Sequence, residues 1–508
     1  MLLVSWLLVG CDADDAQAPV AAGALSAELG FVDVEADTYQ IDGTQLRSSP
    51  ARLFYSFHPA TVAADRAPLL VLHAGGPAGS SLFVMAYGTA EQRLDFSSGI
   101  SLIRNADSLT GLANLLFLDP RQAGFSYSTL ADPSLDTARA AELSAANYNP
   151  YRDAADVLEV LLVFLRAHPT LTNRQTYILG ESYGGLRTSL MSSYLLFATE
   201  YAAGTRRFVS PTLSAAIRRH FEARFGNAQP TAAEVATQFR GQILIEPWFA
   251  GTRQREVSGP LLESPGSILD QVAAETGTSY RRCAEQPAPC DPYDNALAFV
   301  AAAGRSIYDV RAPADWLNQH TAAVSALATN VTALSVLLGV AAPDLARAFT
   351  GRGGAYRFAD RAHEPDHPQG ELPTVWGTIE PWDAYFVAVN EEVRTAFSSS
   401  EAAALAVEPA QPAYGELLIE NLKVLSTFVS RATYDLVVYA PALSPTLASY
   451  PSVSQVTEPT DGALLVRYTD GSERTIVAPK YAASHAVERD EPAKLHDDIA
   501  AFLTATAP

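Results

Sequence analysis

Hydrophobic positions along the chain fall into two patterns, short continuous apolar runs and longer stretches with helical spacing. The continuous runs are APLLVLHAGG (67–76), ANLLFLDP (113–120), RQTYILG (174–180) and QILIEPWF (242–249). Runs of this kind are typical of strands that are covered on both faces of a parallel sheet. In contrast, AADVLEVLLVFLRAH (154–168) has the apolar spacing of a helix. Strands that alternate with helices predict a doubly wound α/β domain.

The segments on either side of this alternation have other patterns. Between residues 30 and 65, short alternating runs such as FVDVEADTYQI predict antiparallel strands joined by turns. Residues 251–410 are alanine-rich, helical in pattern and broken by proline and glycine, which predicts an inserted helical cap. The predicted core therefore has two parts, residues 29–250 and 411–508. Its second part contains sheet-like runs and a closing amphipathic helix, in NLKVLSTFVSRATYD (421–435), RTIVAPKYAASH (474–485) and EPAKLHDDIAAFL (491–503).

The amino terminus resembles a targeting segment. Residues 1–10 read MLLVSWLLVG, the apolar core of a secretory signal, and LVGC resembles a bacterial lipobox in which Cys11 is acylated. Residues 11–28 then form a flexible tether. We predict an exported protein, either a lipoprotein of the bacterial cell envelope (periplasm or outer surface) or a secreted protein, with the lipid anchor as its membrane contact. The alternative is an ordinary apolar N-terminal segment.

Composition limits the classes of partner. The chain has 508 residues, of which 48% are hydrophobic, enough to bury a large core. Its formal net charge of −21 repels phosphate backbones, so we expect no nucleic-acid partner. No long internal apolar run of the kind that spans a bilayer is present in the sequence.

Cysteine and histidine spacing bears on cross-links and metals. Cys283 and Cys290 lie in RRCAEQPAPCDPY, where a local disulfide and a pair of free thiols are both possible. The segment HEPDH (363–367) matches a zinc motif formally, but Pro365 between the histidines prevents the helix that would place both on one face. We predict neither a metal site nor a cofactor.

The clearest chemical motif is Gly-x-Ser-x-Gly, in which Gly180 and Gly184 flank Ser182 between an apolar strand and a helical pattern. A tight strand–turn–helix elbow exposes the serine hydroxyl, and small residues at both ends let strand and helix pack closely. A serine hydroxyl is a poor nucleophile at neutral pH, so it needs a nearby base and donors for the oxyanion. The motif alone is weak evidence for a catalytic serine. Its placement between a strand and a helix is what favours Ser182 as a nucleophile.

Several segments together resemble the serine carboxypeptidase family. That family has an Asn-Gly-Gly-Pro-Gly segment, a GFSYS segment and a Gly-Glu-Ser-Tyr-Gly nucleophile, in this order. The resemblance implies an α/β-hydrolase fold (a mostly parallel central sheet flanked by helices) with an inserted helical cap, and a peptide substrate. The matching segments in this chain are LLVLHAGGPAGSS (69–81), ANLLFLDPRQAGFSYS (113–128), GESYGG (180–185), YFVAVNEEVRTAF (385–397), YDLVVY (434–439) and SHAVERDEPAKLHDDIAAFL (484–503).

The rest of the triad is expected near the end of the chain, since α/β-hydrolases order it as serine, acid and histidine. His485 follows a predicted strand in a loop of small residues, whereas His496 falls inside the terminal helix. Asp435 follows the apolar stretch VLSTFV, and the resemblance also favours it as the acid. Its rivals Asp461 and Asp470 both precede glycine and are more typical of turns.

Substrate contacts are implied by the same resemblance. The oxyanion would be held by the backbone N–H groups of Tyr183 and Gly76. Glu181 and Gly75 would contact the substrate, Glu181 facing its terminal carboxylate and binding it best when protonated, which predicts activity favoured by acid.

Departures from the family pattern keep other functions open. Ala74 stands where the family has asparagine, Leu72 where it has tryptophan, and Ala78 where glycine is usual. LHAGGPA and DPRQAGFS are also similar to segments of prolyl aminopeptidases, which share the fold and recognise a free amine. An acyltransferase and a catalytically silent surface lipoprotein are the remaining alternatives.

Overall fold

The protein is represented by a computed structural model that describes residues 25–76, 79–96, 101–121, 123–128, 146–147, 149–250, 252–345 and 414–507. The predicted signal, Cys11, most of the tether, the HEPDH segment and the cap beyond residue 345 lie outside these residues. β1 begins at Glu28, the last residue of the predicted tether, and Leu25 before it packs against the core.

The strands within these residues are β1 Glu28–Val34, β2 Thr38–Ile41, β3 Thr44–Arg47, β4 Ala51–His58, β5 Leu69–His73, β6 Gln92–Asp95, β7 Ser101–Arg104, β8 Asn114–Leu118, β9 Tyr127–Ser128, β10 Thr176–Glu181, β11 Phe208–Val209, β12 Phe239–Ile245, β13 Ser426–Val429, β14 Arg431–Ala432, β15 Val453–Thr460, β16 Ala463–Tyr468, β17 Glu473–Val477 and β18 Lys480–Tyr481.

The α-helices within these residues are α1 Ser81–Val84, α2 Pro150–Ala167, α3 Pro169–Thr172, α4 Gly184–Leu196, α5 Ala198–Ala202, α6 Pro211–Phe225, α7 Ala232–Val235, α8 Thr252–Leu262, α9 Ile268–Thr276, α10 Pro292–Ala302, α11 Trp316–Thr329, α12 Val331–Leu337, α13 Tyr414–Leu422, α14 Leu443–Ala448, α15 Val487–Asp490 and α16 Pro492–Ala505.

A mixed sheet organises the core. Its strand order is β1-β4-β8-β5-β10-β12-β13-β17-β16-β15, with β9 paired to β4. The central strands from β8 to β17 run parallel, and antiparallel strands extend both edges. The four apolar runs identified in the sequence all become strands of this parallel centre, which confirms that prediction. The antiparallel strands β15 and β16 were not predicted.

The sheet is covered on both faces, as its apolar runs require. Along β5, Leu70 and Leu72 pack into one core cluster and Leu69 and Val71 into the other. The first cluster includes apolar residues of the closing helix α16, and the second includes those of α2, α4 and α6. Asn149 caps the start of helix α2, because its side chain accepts a hydrogen bond from the Arg152 N–H at 2.9 Å, so the local sequence sets where the helix starts.

A buried ion-pair network ties α2 to the N-terminal strands. The guanidinium of Arg152 contacts Asp37 at 2.7 Å and Glu159 at 3.1 Å, and it also pairs with Asp156. Arg121 reaches the other oxygen of Asp156 at 2.8 Å. Buried charges are tolerated only when they are paired, so this network depends on each of its members.

The segment assigned to the cap is helical where it is described, with α8 to α12 between residues 252 and 337. A disulfide joins Cys283 to Cys290, whose Cα atoms are 5.4 Å apart, which decides between the two alternatives left open by the sequence. The boundaries of the cap and of the two core parts remain predictions.

Candidate active site

Ser182 lies on a tight elbow between β10 and α4. Its φ of +55° is a backbone conformation that few non-glycine residues adopt. Its N–H donates to the carbonyl of Ile245 on the neighbouring strand at 2.8 Å, which fixes the turn. A Cβ on Gly180 would lie 2.1 Å from the carbonyl oxygen of Gly184, so the glycine is required for strand and helix to approach this closely. The geometry is that of a nucleophile elbow.

Asp435 and His485 are joined by a hydrogen bond. Nδ1 of His485 lies 2.6 Å from Oδ2 of Asp435. A carboxylate only accepts, so Nδ1 carries the hydrogen and Nε2 is left as the basic nitrogen. The Asp435 side chain is fully buried, and its other oxygen accepts from the Val437 N–H at 2.8 Å. This arrangement orients the imidazole.

The chain brings these two residues together through a short parallel pair of strands beyond the end of the main sheet. In β14 and β18, Arg431 pairs with Lys480 and Ala432 with Tyr481. The pairing continues as the Tyr434 N–H donates to the Ala483 carbonyl at 3.0 Å. Asp435 and His485 follow shortly after these paired residues. The adjacent ends of β14 and β18 therefore place both side chains next to each other.

One cavity of about 210 Å³ is lined by most of the predicted site residues. Ser182, His485, Glu181, Gly75 and Gly76 all line it. The structure has no hydrogen bond between the side chains of Ser182 and His485, both of which line this cavity. Such contacts are often long in a free enzyme and tighten when substrate binds.

The rival residues lie elsewhere. Asp461 pairs with Lys480 at 3.3 Å and Asp470 with Lys423 at 2.6 Å, both at exposed turns. His496 contacts its neighbour Asp497 on α16.

The glycine loop after β5 lies against the elbow. A Cβ on Gly75 would lie 2.7 Å from the Ser182 Cβ and 2.7 Å from the Tyr183 nitrogen, so only glycine fits there. Gly76 follows with a φ of +109°. Arg187 of α4 donates to the Ala74 carbonyl at 2.7 Å, which holds the loop to the helix behind the serine. The loop is therefore placed next to the amide predicted to bind the oxyanion.

A buried aspartate fastens the far side of the same loop. Asp119 follows β8 and accepts from the Ser81 N–H at 2.7 Å, the Ser80 hydroxyl at 3.1 Å and the Phe125 N–H at 3.0 Å. A Cβ on Gly124 would lie 2.1 Å from an oxygen of this carboxylate. Asp119 thus links the glycine loop to the GFSYS segment, a role that the sequence pattern did not indicate.

Burial and neighbouring charges shift the pKa values in the site. Burial lowers the pKa of His485, but the charge and hydrogen bond of Asp435 outweigh it and raise that pKa to about 9. Burial raises the pKa of Glu181 despite the opposing charge of His485 and a hydrogen bond from Gly75. A histidine that stays protonated near neutral pH opposes the acid preference predicted from Glu181 alone.

Two further buried glutamates interact electrostatically with members of the proposed triad and were missed in the sequence. Burial and the charge of Asp435 raise the pKa of Glu246, which follows β12, to about 8. Glu246 accepts from the Ser430 hydroxyl at 2.7 Å and the Ala432 N–H at 2.8 Å, just before Asp435. Glu488 lies three residues after His485 and is 1% exposed. Neither lies in a motif, and only the tertiary fold buries them.

The remaining wall of the cavity is apolar. It is formed by side chains from α1 and the segment after it, from the predicted cap and from the loop after Asp435: Phe83, Tyr87, Tyr308, Trp316, Leu317 and Val437. Leu317 is 37% exposed although it is a large apolar residue. The wall offers contact area to an apolar group of a ligand.

Within the residues described, no three His, Cys, Asp or Glu side chains are grouped in a way that could hold a metal ion. In the same residues, every helix is too short or too polar to cross a bilayer.

Comparisons with known proteins agree with the family resemblance. Residues 40–201 match the model of the family described as serine carboxypeptidase. Serine carboxypeptidase-like 40 of Arabidopsis thaliana is 35% identical over 160 residues, 31% of this chain and 29% of its own length. Serine carboxypeptidase S10 family member 1 of Dictyostelium discoideum is 31% identical over 146 residues, 28% of this chain and 32% of its own. The aligned part thus spans about a third of these curated relatives.

The structural comparison extends further along the chain. The crystal structure of Kex1(delta)p, a prohormone-processing carboxypeptidase from Saccharomyces cerevisiae, is similar with a TM-score of 0.55 at 13% identity. The similarity covers 94% of this chain and 91% of that one. At this identity it shows the fold alone, and it confirms the predicted α/β-hydrolase class.

Proposed function

On the premise that residues 40–201 belong to the serine carboxypeptidase family, we propose that this protein is a serine-type exopeptidase that releases residues from the C-termini of peptides. The observation that carries the proposal is the buried 2.6 Å contact between His485 and Asp435, which opens onto the cavity that contains Ser182 on its strained elbow.

The proposed chemistry proceeds in two halves. Nε2 of His485 takes the proton of the Ser182 hydroxyl as its oxygen attacks the scissile carbonyl carbon. The N–H groups of Gly76 and Tyr183 hold the resulting oxyanion. The protonated His485 then gives its proton to the leaving amine, and the C–N bond breaks to leave an acyl-enzyme. Water, activated by His485 in the same way, releases the shortened peptide and restores Ser182.

Substrate recognition is assigned to the floor and wall of the cavity. Glu181 lines the cavity beside Ser182, where a protonated carboxyl would donate a hydrogen bond to the terminal carboxylate of a peptide. Ala74 takes the place of the family's asparagine, so the amide donor at that position is missing. We therefore assign the carboxylate contact to Glu181 and the Gly75 main chain, and side-chain contacts to the apolar wall.

The proposal predicts opposite pH dependences for binding and turnover. Binding of a carboxylate requires a proton on Glu181 and is favoured by acid. Turnover requires His485 without its proton, and the pKa of His485 is raised to about 9, so kcat rises as the pH approaches that value. Activity at limiting substrate is then greatest where the two trends balance.

The test uses a fluorophosphonate probe and blocked dipeptides. We expect the probe to label Ser182 and the Ser182→Ala variant to lose labelling and turnover while it keeps the wild-type thermal transition. N-blocked dipeptides with a free carboxylate should be cleaved, and the same peptides with an amidated terminus should be poor substrates. Failure of the folded wild type to react with the probe contradicts the proposal. Preference for peptides with a free amine and a blocked carboxylate would instead support the aminopeptidase alternative.

A further inference from the structure

A loop of the predicted cap lies between the two chain segments that carry Asp435 and His485. This loop, residues 305–313, is the bridging loop. An antiparallel bridge between Arg305 and Pro313 closes it at its base. The bridge gives the loop a defined shape where it meets the two segments.

The main chain of the bridging loop is hydrogen-bonded to the segment of the proposed acid. The Val310 N–H donates to the Tyr434 carbonyl at 3.1 Å, and the Leu436 N–H donates to the Ile307 carbonyl at 3.0 Å. These bonds use the residues directly before and after Asp435. Val310 and Leu436 are both buried, so the contact is shielded from water.

The same stretch of the loop is bonded to the segment of the proposed base. The N–H of His485 donates to the Tyr308 carbonyl at 2.9 Å. The Tyr308 ring packs edge-to-face on the imidazole, with 5.5 Å between the ring centres. Residues 307–310 therefore contact His485 itself and both chain neighbours of the proposed acid.

The side chain of Arg311 adds a second link between the segments. Its Nε and Nη2 donate to the two carboxylate oxygens of Asp309 at 2.9 and 3.1 Å, which fixes the plane of the guanidinium. The guanidinium carbon lies 3.9 Å from the ring centre of Tyr434, the residue before the proposed acid. Nη1 donates to the Ala482 carbonyl at 3.1 Å, three residues before the proposed base.

Arg311 also reaches the histidine segment through a carboxylate. Its Nη2 donates to Oδ2 of Asp490 at 3.4 Å, and the same oxygen accepts from the Ser484 N–H at 2.7 Å. The other oxygen of Asp490 accepts from Nε of Arg489 at 2.7 Å. Since Ser484 directly precedes His485, one guanidinium is linked to the residue before each member of the acid–base pair.

We propose that the bridging loop keeps Asp435 and His485 at hydrogen-bonding distance, and that Arg311 is a positioning residue for this pair. The inference rests on the proposed function, which assigns the pair to catalysis. Strands β14 and β18 are only two residues long each, so they restrain the two segments weakly on their own. The bridging loop adds contacts at the residues next to the pair, where its 2.6 Å separation is set.

The inference separates two roles within the predicted cap. Trp316 and Leu317, which follow the bridging loop, contribute side chains to the cavity wall. Changes there should alter which substrates bind. Loss of the Arg311 contacts should instead lower the turnover of every substrate alike, a difference that appears as a split between KM and kcat.

The test replaces Arg311 by methionine, which keeps an unbranched apolar stem but removes the guanidinium. We expect kcat for an N-blocked dipeptide and the rate of fluorophosphonate labelling to fall by between about tenfold and 100-fold, because the reacting groups are displaced. KM should change by less than about twofold, since the cavity wall is intact. Arg311→Lys keeps the charge but lacks the planar fork, so both rates should also fall. This variant decides the question if Arg311→Met does not fold.

The matched control is Arg282→Met. Arg282 also belongs to the predicted cap, pairs with Asp270 at 2.7 Å, and donates to the Glu263 carbonyl at 2.6 Å. Its guanidinium carbon lies 5.9 Å from the ring centre of Tyr280. These contacts are of the same kinds as those of Arg311 but involve neither segment of the acid–base pair. Arg282→Met should therefore keep the wild-type kcat and labelling rate.

Two further readouts distinguish positioning from a general loss of structure. In the Asp435→Asn background, Arg311→Met should lower the labelling rate by a much smaller factor, because the pair that it positions is already disrupted. The second readout is the low-field proton NMR signal of the His485 Nδ1–H, assigned by its absence in His485→Ala. In Arg311→Met, this signal should move upfield or be lost to exchange with water as the hydrogen bond lengthens.

Defined results overturn the proposal. Wild-type rates in Arg311→Met, an equal loss in Arg282→Met, a factor that persists in full in the Asp435→Asn background, or an unchanged NMR signal would each do so. A folded wild type that fails to react with the fluorophosphonate would refute the proposed function instead. The NMR signal does not require turnover, so it still decides this inference in that case.

Discussion

Replacing Asp435 by asparagine removes one charge from the site and little else, since the two side chains have almost the same shape. The change acts on His485, whose Nδ1 lies 2.6 Å from the Asp435 carboxylate. Burial alone would lower the pKa of this histidine, yet the aspartate raises it to about 9 from the ordinary 6.5. That difference corresponds to about 3 kcal/mol of stabilisation of the imidazolium, to which Asp435 makes the largest favourable contribution.

The same imidazolium forms in the transition state when His485 takes the serine proton. We therefore expect Asp435→Asn to lower kcat by about two orders of magnitude above pH 9, where His485 rests without its proton in both proteins and the lost energy falls on the transition state alone. The sign of the pH effect is also defined. In the wild type, kcat rises with pH until His485 loses its proton near its pKa of about 9. In the variant, the charge of Asp435 that raises the pKa of His485 is gone, so this rise moves to lower pH.

The assay is steady-state hydrolysis of an N-blocked dipeptide across the pH range, with circular dichroism to verify the fold. Asp461→Asn is the matched control, because Asp461 is an exposed turn residue that pairs with Lys480. It should behave as the wild type. The reasoning fails if Asp435→Asn retains the wild-type kcat and pH profile, or if Asp461→Asn loses activity to the same extent.

Two other substitutions test the loop beside the elbow and the buried ion pairs. Gly75→Ala places a Cβ 2.7 Å from that of Ser182 and should lower kcat by about 100-fold, because it displaces the reacting groups. The control is Gly111→Ala, which should have wild-type activity because the nearest atom to its Cβ is 3.8 Å away. Equal activity of the two would contradict the proposed close fit. Arg152→Met leaves buried carboxylates without their cationic partner and should lower the free energy of unfolding by about 3–5 kcal/mol in denaturant titrations. Arg467→Met removes a half-exposed ion pair and should change the free energy of unfolding little. Similar denaturation midpoints for Arg152→Met and the wild type would show that the network contributes no stability.

The parallel centre of the fold was predictable because its strands are apolar on both faces. The run 69–73 has no exposed position, so the pattern allows few alternatives to a buried strand. Strands β15 and β16 escaped prediction for the opposite reason. Along β15, most side chains are exposed or half-buried, and the sequence VSQVTEPT contains a proline and polar residues that resemble a loop. Its pairing with β16 depends on contacts across the turn at Asp461.

The site was predictable where local geometry imposes residue types. Gly180 and Ser182 are constrained by the elbow, and the small residues around His485 mark a loop after a strand. Asp435 could be separated from Asp461 because an Asp-Gly pair signals a turn. Whether Asp435 and His485 act as assigned remains a prediction, although the structure joins their side chains.

The buried acids could not be found in this way. Glu488 lies within VERDE, a run of charges that in most proteins faces solvent, and Glu246 lies between a strand and a proline. Burial of either group results from elements distant in the chain: the glycine at position 88 in one case and the Ser430–Ala432 segment in the other. Sequence patterns indicate the periodicity of helices and strands, but they do not show which surfaces of the protein pack against each other.

Strands β12 and β13 are neighbours in the sheet although residues 246–425, which include the predicted cap, separate them along the chain. The insertion therefore leaves and re-enters the core at adjacent points, and its length is not constrained by the strands it connects. Trp316 and Leu317, which line the cavity, lie in this insertion, whereas Ser182, Asp435 and His485 do not. Under the proposed function, evolution or a protein engineer can rebuild the wall that selects a substrate while the proposed triad stays in place.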